Sequence, residues 1–331
     1  MYTNPQHLST LCTMSTTSLP GPTLTPAQMH IAMPAAPVTG TVVSNERCTA
    51  SSKAAGFVRH VAFDIAGTPL AGSFVAGQSF GVLPPGVDAN NKPHKLRLYS
   101  LASPTFGEDG KGTVVATTVK RLIDEHWETG KLYTGVASNY ICDLRPGDKV
   151  QLTGPSGKRF VLPLKPEEHD YVFFATGTGI APFRGMLMEL AQRAPQSRCA
   201  LVMGSPYATD LLYHKQMQQL AAAMPNFHYI PALSREKQPD GKPAMYAHDQ
   251  ITHSRDQIEP ILASSRGLIY ICGIAGMELG VLQRITTTLK PDTREQYIEA
   301  DTAAIADVHN WQRTMLHKQV KPTRRVFMEV Y

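Results

Sequence analysis

Residues 171–182, Tyr-Val-Phe-Phe-Ala-Thr-Gly-Thr-Gly-Ile-Ala-Pro, join an unbroken apolar run to a glycine-rich turn and then to a proline. The run is too short and too continuous for an amphipathic helix, so it predicts a buried parallel strand. Pro182 suits the first turn of a helix, where no backbone N–H is needed, and the glycines let a pyrophosphate approach the backbone. The segment therefore predicts a strand, a turn and a helix, in which the turn either binds a phosphate or is only a tight connection.

The same alternation of strand and helix continues along the second half of the chain. Further strands are predicted at Cys199–Gly204, His228–Leu233, Leu268–Cys272 and Arg325–Tyr331. Helical segments lie between them, such as Phe183–Ala194, whose apolar residues share one face. The pattern predicts a doubly wound α/β domain with a parallel sheet over residues 166–331, in which ligands bind at the carboxyl ends of the strands.

Residues 42–164 contain short apolar or alternating runs separated by Gly, Pro, Asn and Asp turns. The runs are Val58–Ile65, Ser79–Leu83, Leu96–Leu101, Thr113–Val119, Lys149–Thr153 and Arg159–Leu162. This pattern predicts a closed antiparallel β-barrel or a sandwich, which we assign to residues 38–165. A short helix is expected only at Lys120–Glu128.

The first 37 residues are rich in Ser, Thr, Pro, Ala and Met and have no hydrophobic period, so they predict a disordered tail. A transit peptide would carry arginines, and a secretory signal would carry a charged segment before an apolar one. Neither pattern is present, so we expect a cytoplasmic bacterial protein, with a plastid origin as the alternative.

Composition argues against several classes of protein. The 331 residues suit two globular units, and no stretch approaches the ~18 consecutive apolar residues of a membrane-spanning helix. The five cysteines form no CxxC pair, which argues against a zinc ribbon, an iron–sulfur cluster and a disulfide scaffold, so no metal is expected. The net charge of +5 comes without a basic run or basic helix, which argues against nucleic acid.

The positive charge is concentrated in the first globular half. Residues 41–165 carry 15 Lys and Arg against 10 Asp and Glu, whereas residues 166–331 carry 17 of each. Such an imbalance suits a surface that docks an acidic macromolecule. A solvated surface with a chance imbalance explains it equally well at this stage.

Three further segments have residues suited to phosphate or flat rings. Arg97-Leu98-Tyr99-Ser100 alternates a guanidinium, which binds a diphosphate, with a ring, which stacks on a heterocycle. Gly135–Tyr140 places small residues and the Ser138 hydroxyl before a helix start, where they could again hold phosphate. Tyr270–Gly273 ends the fourth predicted strand of the α/β domain, and its Cys272 could equally be an ordinary buried thiol.

In chain order, RLYS, GVASNYICDL, GPSGK, ATGTGIAPFRG, YICGIAGMELG and a terminal Glu-Val-Tyr resemble the plant-type ferredoxin–NADP⁺ reductase family, from about Gly77 to Tyr331. The resemblance implies an FAD-binding antiparallel barrel followed by an NADP(H)-binding α/β domain. It further implies hydride exchange between NADP(H) and the flavin N5 atom, coupled to one-electron transfer with an acidic carrier, either ferredoxin or flavodoxin.

The resemblance also implies roles for individual residues. The FAD contacts would be Arg97, Leu98, Tyr99, Ser100, Thr118, Val119, Lys120, Val136, Ala137, Ser138, Thr178 and Tyr331. The NADP(H) contacts would be Ser100, Lys120, Thr178, Ser205, Pro206, Ser234, Arg235, Tyr246, Gly273, Ile274 and Glu329. The catalytic set would be Ser138, Cys272 and Glu329 around flavin N5, with Tyr331 covering one flavin face and moving aside for nicotinamide.

The residues after the third predicted strand of the α/β domain indicate which nucleotide binds. Arg235 with the Ser234 hydroxyl suits a 2′-phosphate and hence NADP, because a free 2′-hydroxyl would prefer an acidic acceptor. The family's basic residue and Gln near Tyr246 are here Ala244 and His248, so Lys242 and His248 are the candidate replacements.

Asp124 replaces the adenine-stacking Tyr, leaving Trp127 or His126 as candidates, and Ala275 replaces a Lys. We assign the N-terminal tail no counterpart in the family.

Other functions on the same fold stay open at this point. An NADPH-dependent reductase component of an oxygenase system, or a general NADPH dehydrogenase, is the main alternative. A diflavin reductase module needs a long insert, and the 18 residues between Gln78 and Arg97 leave no room for it. A non-enzymatic flavin-binding or basic interaction protein would not need the hydride-site residues that this chain retains.

Overall fold

The computed structural model describes residues 20–331 and contains two main sheets. The first is six-stranded and antiparallel, in the order β4-β3-β8-β1-β2-β5. Its strands are β1 (Val38–Arg47), β2 (Val58–Asp64), β3 (Ser79–Leu83), β4 (Arg97–Ser100), β5 (Val114–Lys120) and β8 (Lys149–Ser156). A bridge between Leu101 and Thr117 joins the two edges, so the sheet closes as the predicted barrel.

A hairpin and a helix lie between β5 and β8. The elements are β6 (Ile123–Glu125), β7 (Leu132–Thr134) and α1 (Val136–Asp143). The helix predicted at Lys120–Glu128 is therefore wrong. Gly130, with a φ of 64°, donates its N–H to the His126 carbonyl at 2.8 Å and closes the turn, so residues 123–125 pair with residues 132–134 of a second strand and do not form a helix.

The second sheet is five-stranded and parallel, in the order β11-β10-β9-β12-β15. Its strands are β9 (Asp170–Thr176), β10 (Cys199–Ser205), β11 (Phe227–Leu233), β12 (Gly267–Gly273) and β15 (Val326–Val330). Phe173 packs with Phe183 on one face, and Phe174 packs with Ile258 on the other. Helices therefore cover both faces, and the doubly wound prediction is confirmed.

The helices and a small two-stranded sheet complete the α/β part. They are α2 (Ile180–Arg193), α3 (His214–Ala223), α4 (Gln250–His253), α5 (Arg255–Leu262), α6 (Met277–Thr288), α7 (Pro291–Arg294), α8 (Thr302–Ala306), β13 (Ile298–Ala300) and β14 (Val320–Pro322). No helix within residues 20–331 is long and apolar enough to cross a membrane. The domain boundary at 165/166 stays a prediction.

Residues 20–37 lie against residues 154–164 and are hydrogen bonded to them. Ala32 and Gly154 exchange two backbone hydrogen bonds of 2.9 Å, and the Thr25 N–H donates to the Leu162 carbonyl at 3.0 Å. The predicted disorder is therefore wrong for residues 20–37, and residues 1–19 lie outside the described part. The predicted strand at Arg159–Leu162 is also wrong, because its partner is this irregular segment and not a second strand.

A buried polar cluster joins the two halves of the molecule. Arg184 of α2 contacts Glu108 through two hydrogen bonds of 2.6 and 3.1 Å and donates to the Ala102 carbonyl at 2.9 Å. The Tyr213 hydroxyl lies 2.5 Å from Thr118 Oγ1 and 2.9 Å from His60 Nδ1. Breaking such a buried pair from one side costs about 3–5 kcal/mol, so the cluster holds the barrel and the α/β part in register.

Candidate functional site

A first cavity of about 560 Å³ lies between β4, the following hairpin and the start of α1. Arg97 and Leu98 of β4 are exposed along it, and the Tyr99 ring is half-buried beside them. The cavity therefore combines a guanidinium with an accessible aromatic ring, which suits a ligand with a diphosphate and a flat heterocycle. The predicted residues Val136, Ala137 and Ser138 line it from the opposite side.

The start of α1 presents free backbone N–H groups to this cavity. Its N-cap is Gly135, which has no side chain to satisfy them. A Cβ atom there would lie 2.7 Å from Ser138 Oγ and 2.9 Å from Leu122 Cβ, so only glycine allows this close turn. Ser138 Oγ accepts the Leu122 N–H at 3.2 Å and donates to the Gly135 carbonyl at 3.3 Å. These contacts shape a cradle for an anion.

The predicted ligand residues of β5 are placed less favourably. Thr118 is buried, with its hydroxyl directed at Tyr213, and Val119 packs in the barrel core. The side chains of Thr118 and Val119 are therefore engaged inside the protein, whereas the Lys120 side chain is exposed. Ser100, at the end of β4, is half-buried, and its carbonyl accepts the Thr117 hydroxyl at 2.8 Å.

A second group of predicted residues meets at the carboxyl ends of β9, β12 and β15. Cys272 pairs with Glu329 in the parallel register of β12 and β15. The Tyr331 N–H donates to the Gly273 carbonyl at 3.0 Å, and the Tyr331 hydroxyl lies 2.6 Å from Thr178 Oγ1. We call these residues (Thr178, Cys272, Gly273, Glu329 and Tyr331) the carboxyl-edge cluster.

Close backbone packing creates this cluster. A Cβ atom on Gly179 would lie 2.1 Å from the Cys272 carbonyl oxygen. Gly273 has a φ of 146°, and a Cβ atom there would lie 2.1 Å from Thr176 Oγ1. The Ile274 N–H donates to that same Thr176 oxygen at 2.9 Å. Two glycines therefore let the turns after β9 and β12 touch, which brings Thr178 and Ile274 to one place.

The carboxyl-edge cluster contains two titratable groups, the carboxyl of the half-buried Glu329 and the thiol of Cys272. Glu329 Oε2 is buried and has no hydrogen-bond partner among residues 20–331, and burial raises the pKa of this carboxyl to about 7. Cys272 is fully buried, which raises the pKa of its thiol, and the Glu329 carboxylate raises it further. Glu329 can therefore hold a proton near neutral pH, whereas Cys272 stays a neutral thiol.

Ser138 does not belong to this cluster. Its hydroxyl contacts Leu122 and Gly135 at the first cavity, whereas Glu329 lines a second cavity of about 1080 Å³. The contacts of Ser138 suit the phosphate cradle, and its place among the catalytic residues stays a prediction. Basic side chains, Arg159 and Arg324, line the second cavity together with Glu329.

A third group follows β10 and β11 at the same edge of the sheet. The Ser234 N–H donates to the Ser205 carbonyl at 2.9 Å, and the Arg235 N–H donates to the Pro206 carbonyl at 3.0 Å. Arg235 is exposed, and the exposed Tyr246 ring stacks on His248 with centroids 5.7 Å apart. A cation, hydroxyls and a stacked ring together suit a phosphorylated nucleoside.

Gln238 is a residue that sequence reasoning missed. Its side chain is buried, accepts the Leu233 N–H at 3.0 Å and donates to the Leu233 carbonyl at 2.8 Å. These bonds hold the loop that carries Arg235. A single Gln in a polar loop has no sequence signal, because its role depends on the backbone groups that surround it.

No three His, Cys, Asp or Glu side chains of residues 20–331 converge in a way that could hold a metal ion.

Comparison with known proteins supports this arrangement. The family model described as an oxidoreductase NAD-binding domain matches residues 173–283. The ferredoxin–NADP reductase of a Spirulina species is 39% identical over 259 residues, covering 76% of this chain and 87% of the relative. The chloroplastic leaf isozyme 1 of ferredoxin–NADP reductase from Arabidopsis thaliana is 35% identical, covering 75% of this chain and 69% of the relative.

Solved structures show the same fold. The ferredoxin–NADP⁺ reductase of Plasmodium falciparum superimposes with a TM-score of 0.67 over 91% of this chain and 98% of its own, at 19% identity. The same enzyme with 2′P-AMP superimposes with a TM-score of 0.62 over 80% of this chain and 97% of its own.

Proposed function

Because the chain belongs to the ferredoxin–NADP reductase family, we propose that it exchanges a hydride between NADP(H) and bound FAD and passes single electrons to or from ferredoxin. The protein is an oxidoreductase with FAD and NADP(H) as cofactors. The observation that carries the proposal is the carboxyl-edge cluster, in which Tyr331, Glu329 and Cys272 meet Thr178 of the glycine-rich turn.

The first cavity fits FAD. The Arg97 guanidinium and the N–H groups at the start of α1 would hold the pyrophosphate, and Tyr99 would stack on the flavin. The turn that a Cβ on Gly135 would fill is the kind of cradle a phosphate needs. When bound, FAD supplies the step between two-electron hydride chemistry and one-electron transfer.

Tyr331 would act as a movable cover for the nicotinamide position. Its backbone is held at both ends, because its N–H donates to Gly273 and its carbonyl accepts the Ala275 N–H at 3.0 Å. The ring is 61% exposed, and the Thr178 hydroxyl is the group it contacts. Displacing the ring therefore disturbs one side-chain hydrogen bond and leaves the strand in place.

Glu329 and Cys272 would set the environment of the nicotinamide. The unpaired Glu329 carboxyl can hold or release a proton near neutral pH, and the small neutral Cys272 leaves room beside it. The other end of NADP(H) would bind at Ser234, Arg235 and Tyr246, where the guanidinium favours a 2′-phosphate over a free hydroxyl.

The carrier docks through charge in this proposal. The basic excess of residues 41–165 and the arginines of the second cavity complement an acidic protein. Ferredoxin is the carrier of the family, and we extend the proposal to flavodoxin because the same charge would serve both. The cytoplasmic location stays a prediction, since the relatives include chloroplastic proteins.

The decisive experiment is anaerobic reduction by NADPH, followed by separate addition of ferredoxin, flavodoxin and cytochrome c. The proposal requires that NADPH bleach the flavin absorbance and that ferredoxin reoxidise it. A protein that takes up FAD but is not reduced by NADPH would contradict it.

A further inference from the structure

The hairpin formed by β6 and β7 exposes an unusual amount of apolar surface. Its large apolar side chains are 44–87% exposed: Leu122, Ile123, Trp127, Leu132, Tyr133 and Val136. A cluster of this kind on a folded protein marks a binding surface rather than chance exposure. The hairpin also adjoins the first cavity, to which Leu122 and Val136 both contribute.

Tyr133 is an aromatic side chain of this hairpin that is hydrogen bonded to the facing strand. It lies directly opposite Asp124 in the antiparallel register, and its hydroxyl donates to Asp124 Oδ2 at 3.0 Å. Directly opposed residues lie on one face, so the ring and the carboxylate share a side of the hairpin. Trp127, by contrast, lies in the turn and is 87% exposed.

The shared face continues towards the first cavity. Beyond the Ile123–Thr134 pair, Leu122 lies opposite Gly135, whose N–H donates to the Leu122 carbonyl at 3.0 Å. Both residues line the first cavity. Because side chains alternate along a strand, Asp124 and Tyr133 fall on the same side as Leu122 and Gly135. Ile123 and Leu132 fall on the other side.

We propose that Tyr133, anchored by Asp124, is the ring on which the adenine of FAD stacks. This inference rests on the proposed function, because it takes FAD as the ligand of the first cavity. In FAD the pyrophosphate separates the flavin from the adenosine. The flavin would lie at Tyr99, and the pyrophosphate at Arg97 and the start of α1. The adenosine would then extend to the hairpin that precedes α1, where Tyr133 is two residues from Gly135.

The Asp124–Tyr133 pair also explains the departure noted in the sequence. Where the family places its stacking Tyr, this chain has Asp124, and the aromatic ring stands on the opposite strand of the same hairpin face. The carboxylate then serves as the anchor. A ring already held by a hydrogen bond loses less conformational freedom when a ligand stacks on it.

The test compares FAD with FMN, which lacks the adenosine half. Full-length protein is freed of flavin, and the Kd of each flavin is measured by the quenching of its fluorescence. Tyr133→Ala should raise the Kd of FAD about 5- to 150-fold, the usual range for one base–aromatic stack, and leave the Kd of FMN unchanged. Asp124→Ala, which keeps the ring but removes its anchor, should raise the Kd of FAD by a smaller factor.

Trp127→Ala is the matched control, because it removes another exposed ring of the same hairpin and should change neither Kd. The inference is overturned if Tyr133→Ala leaves the Kd of FAD unchanged, if it raises the Kd of FAD and FMN equally, or if Trp127→Ala has the larger effect on FAD. Wild-type protein that binds neither flavin would instead contradict the proposed function. Circular dichroism of each variant confirms that it is folded.

Discussion

The hydroxyl groups of Tyr331 and Thr178 lie 2.6 Å apart and join the end of β15 to the glycine-rich turn that follows β9. The two residues are 153 positions apart in sequence, and the family resemblance predicts both at the nucleotide site. The position of the Tyr331 ring therefore depends on the Thr178 hydroxyl, a group that would itself contact the nucleotide.

Tyr331→Ser should bind NADP⁺ more tightly and accept NADH better than the wild type. The ring no longer has to be displaced, and a stacked ring contributes about 0.5–1.5 kcal/mol, so the Kd of NADP⁺ should fall about 2- to 10-fold. Turnover with NADPH should fall because product release slows. A titration that follows the flavin absorbance measures the Kd.

Tyr331→Phe is the control for that experiment. It keeps the ring and removes only the hydrogen bond to Thr178, so its Kd should lie between those of the wild type and Tyr331→Ser. If Tyr331→Ser keeps both the NADP⁺ affinity and the NADH activity of the wild type, Tyr331 does not cover the nicotinamide position.

The Glu329 carboxyl should make stability depend on pH. Burial raises its pKa to about 7, so between about pH 4.5 and 7 the folded protein holds a proton that the unfolded chain has released. The folded state therefore loses stability as the pH rises through this window. The Glu329→Gln side chain cannot titrate. We therefore expect the difference in the free energy of unfolding, wild type minus variant, to fall by up to about 3 kcal/mol between about pH 4.5 and 7.

Chemical denaturation of both FAD-loaded proteins at several pH values measures this difference. Glu299→Gln, which changes an exposed carboxylate of β13, is the control and should give a flat difference. A difference that is also flat for Glu329→Gln would show that Glu329 is ionised throughout and stores no proton.

Arg235→Ala should erode the preference for NADPH over NADH. Removing one hydrogen bond to a charged group costs about 1.5–3 kcal/mol, which corresponds to a rise of about 10- to 150-fold in the KM for NADPH with little change for NADH. Steady-state kinetics with both nucleotides measure it. Lys237→Ala, which removes another exposed cation of the same loop, should have a much smaller effect. Equal use of both nucleotides by the wild type would refute the 2′-phosphate assignment.

Electron transfer to ferredoxin should slow as ionic strength rises, because salt screens exposed charges. Lys92→Glu with Lys95→Glu, at the rim of the first cavity, should slow it at low salt and flatten the salt dependence. Stopped-flow measurement of ferredoxin reduction tests this, with reduction of a small neutral dye as the reference reaction. Lys290→Glu, between α6 and α7, is the control. If the rate of ferredoxin reduction does not depend on ionic strength, the excess of positive charge in residues 41–165 has no role in docking.

Local sequence patterns were enough to predict the two-domain architecture. Unbroken apolar runs such as Cys199–Gly204 correspond to strands of the parallel sheet that are buried on both faces. The residues of such a run indicate burial by themselves, whichever strand lies next to them. The family resemblance depends on motifs of this local kind. It placed Thr178, Cys272, Glu329 and Tyr331 in one site, and the structure brings these four residues together.

Tertiary structure decided what depends on a partner far away in the chain. Residues 20–37 are ordered by the backbone of residues 154–164, and the segment predicted as a helix at Lys120–Glu128 forms a hairpin instead. The Ser138 hydroxyl contacts Gly135 at the first cavity, and Gln238 and Tyr133 gain their roles from Leu233 and Asp124. Hydrophobic periodicity records which side chains are buried, but a hydrogen bond depends on which donor and acceptor the fold brings together, and only the folded chain determines that pairing.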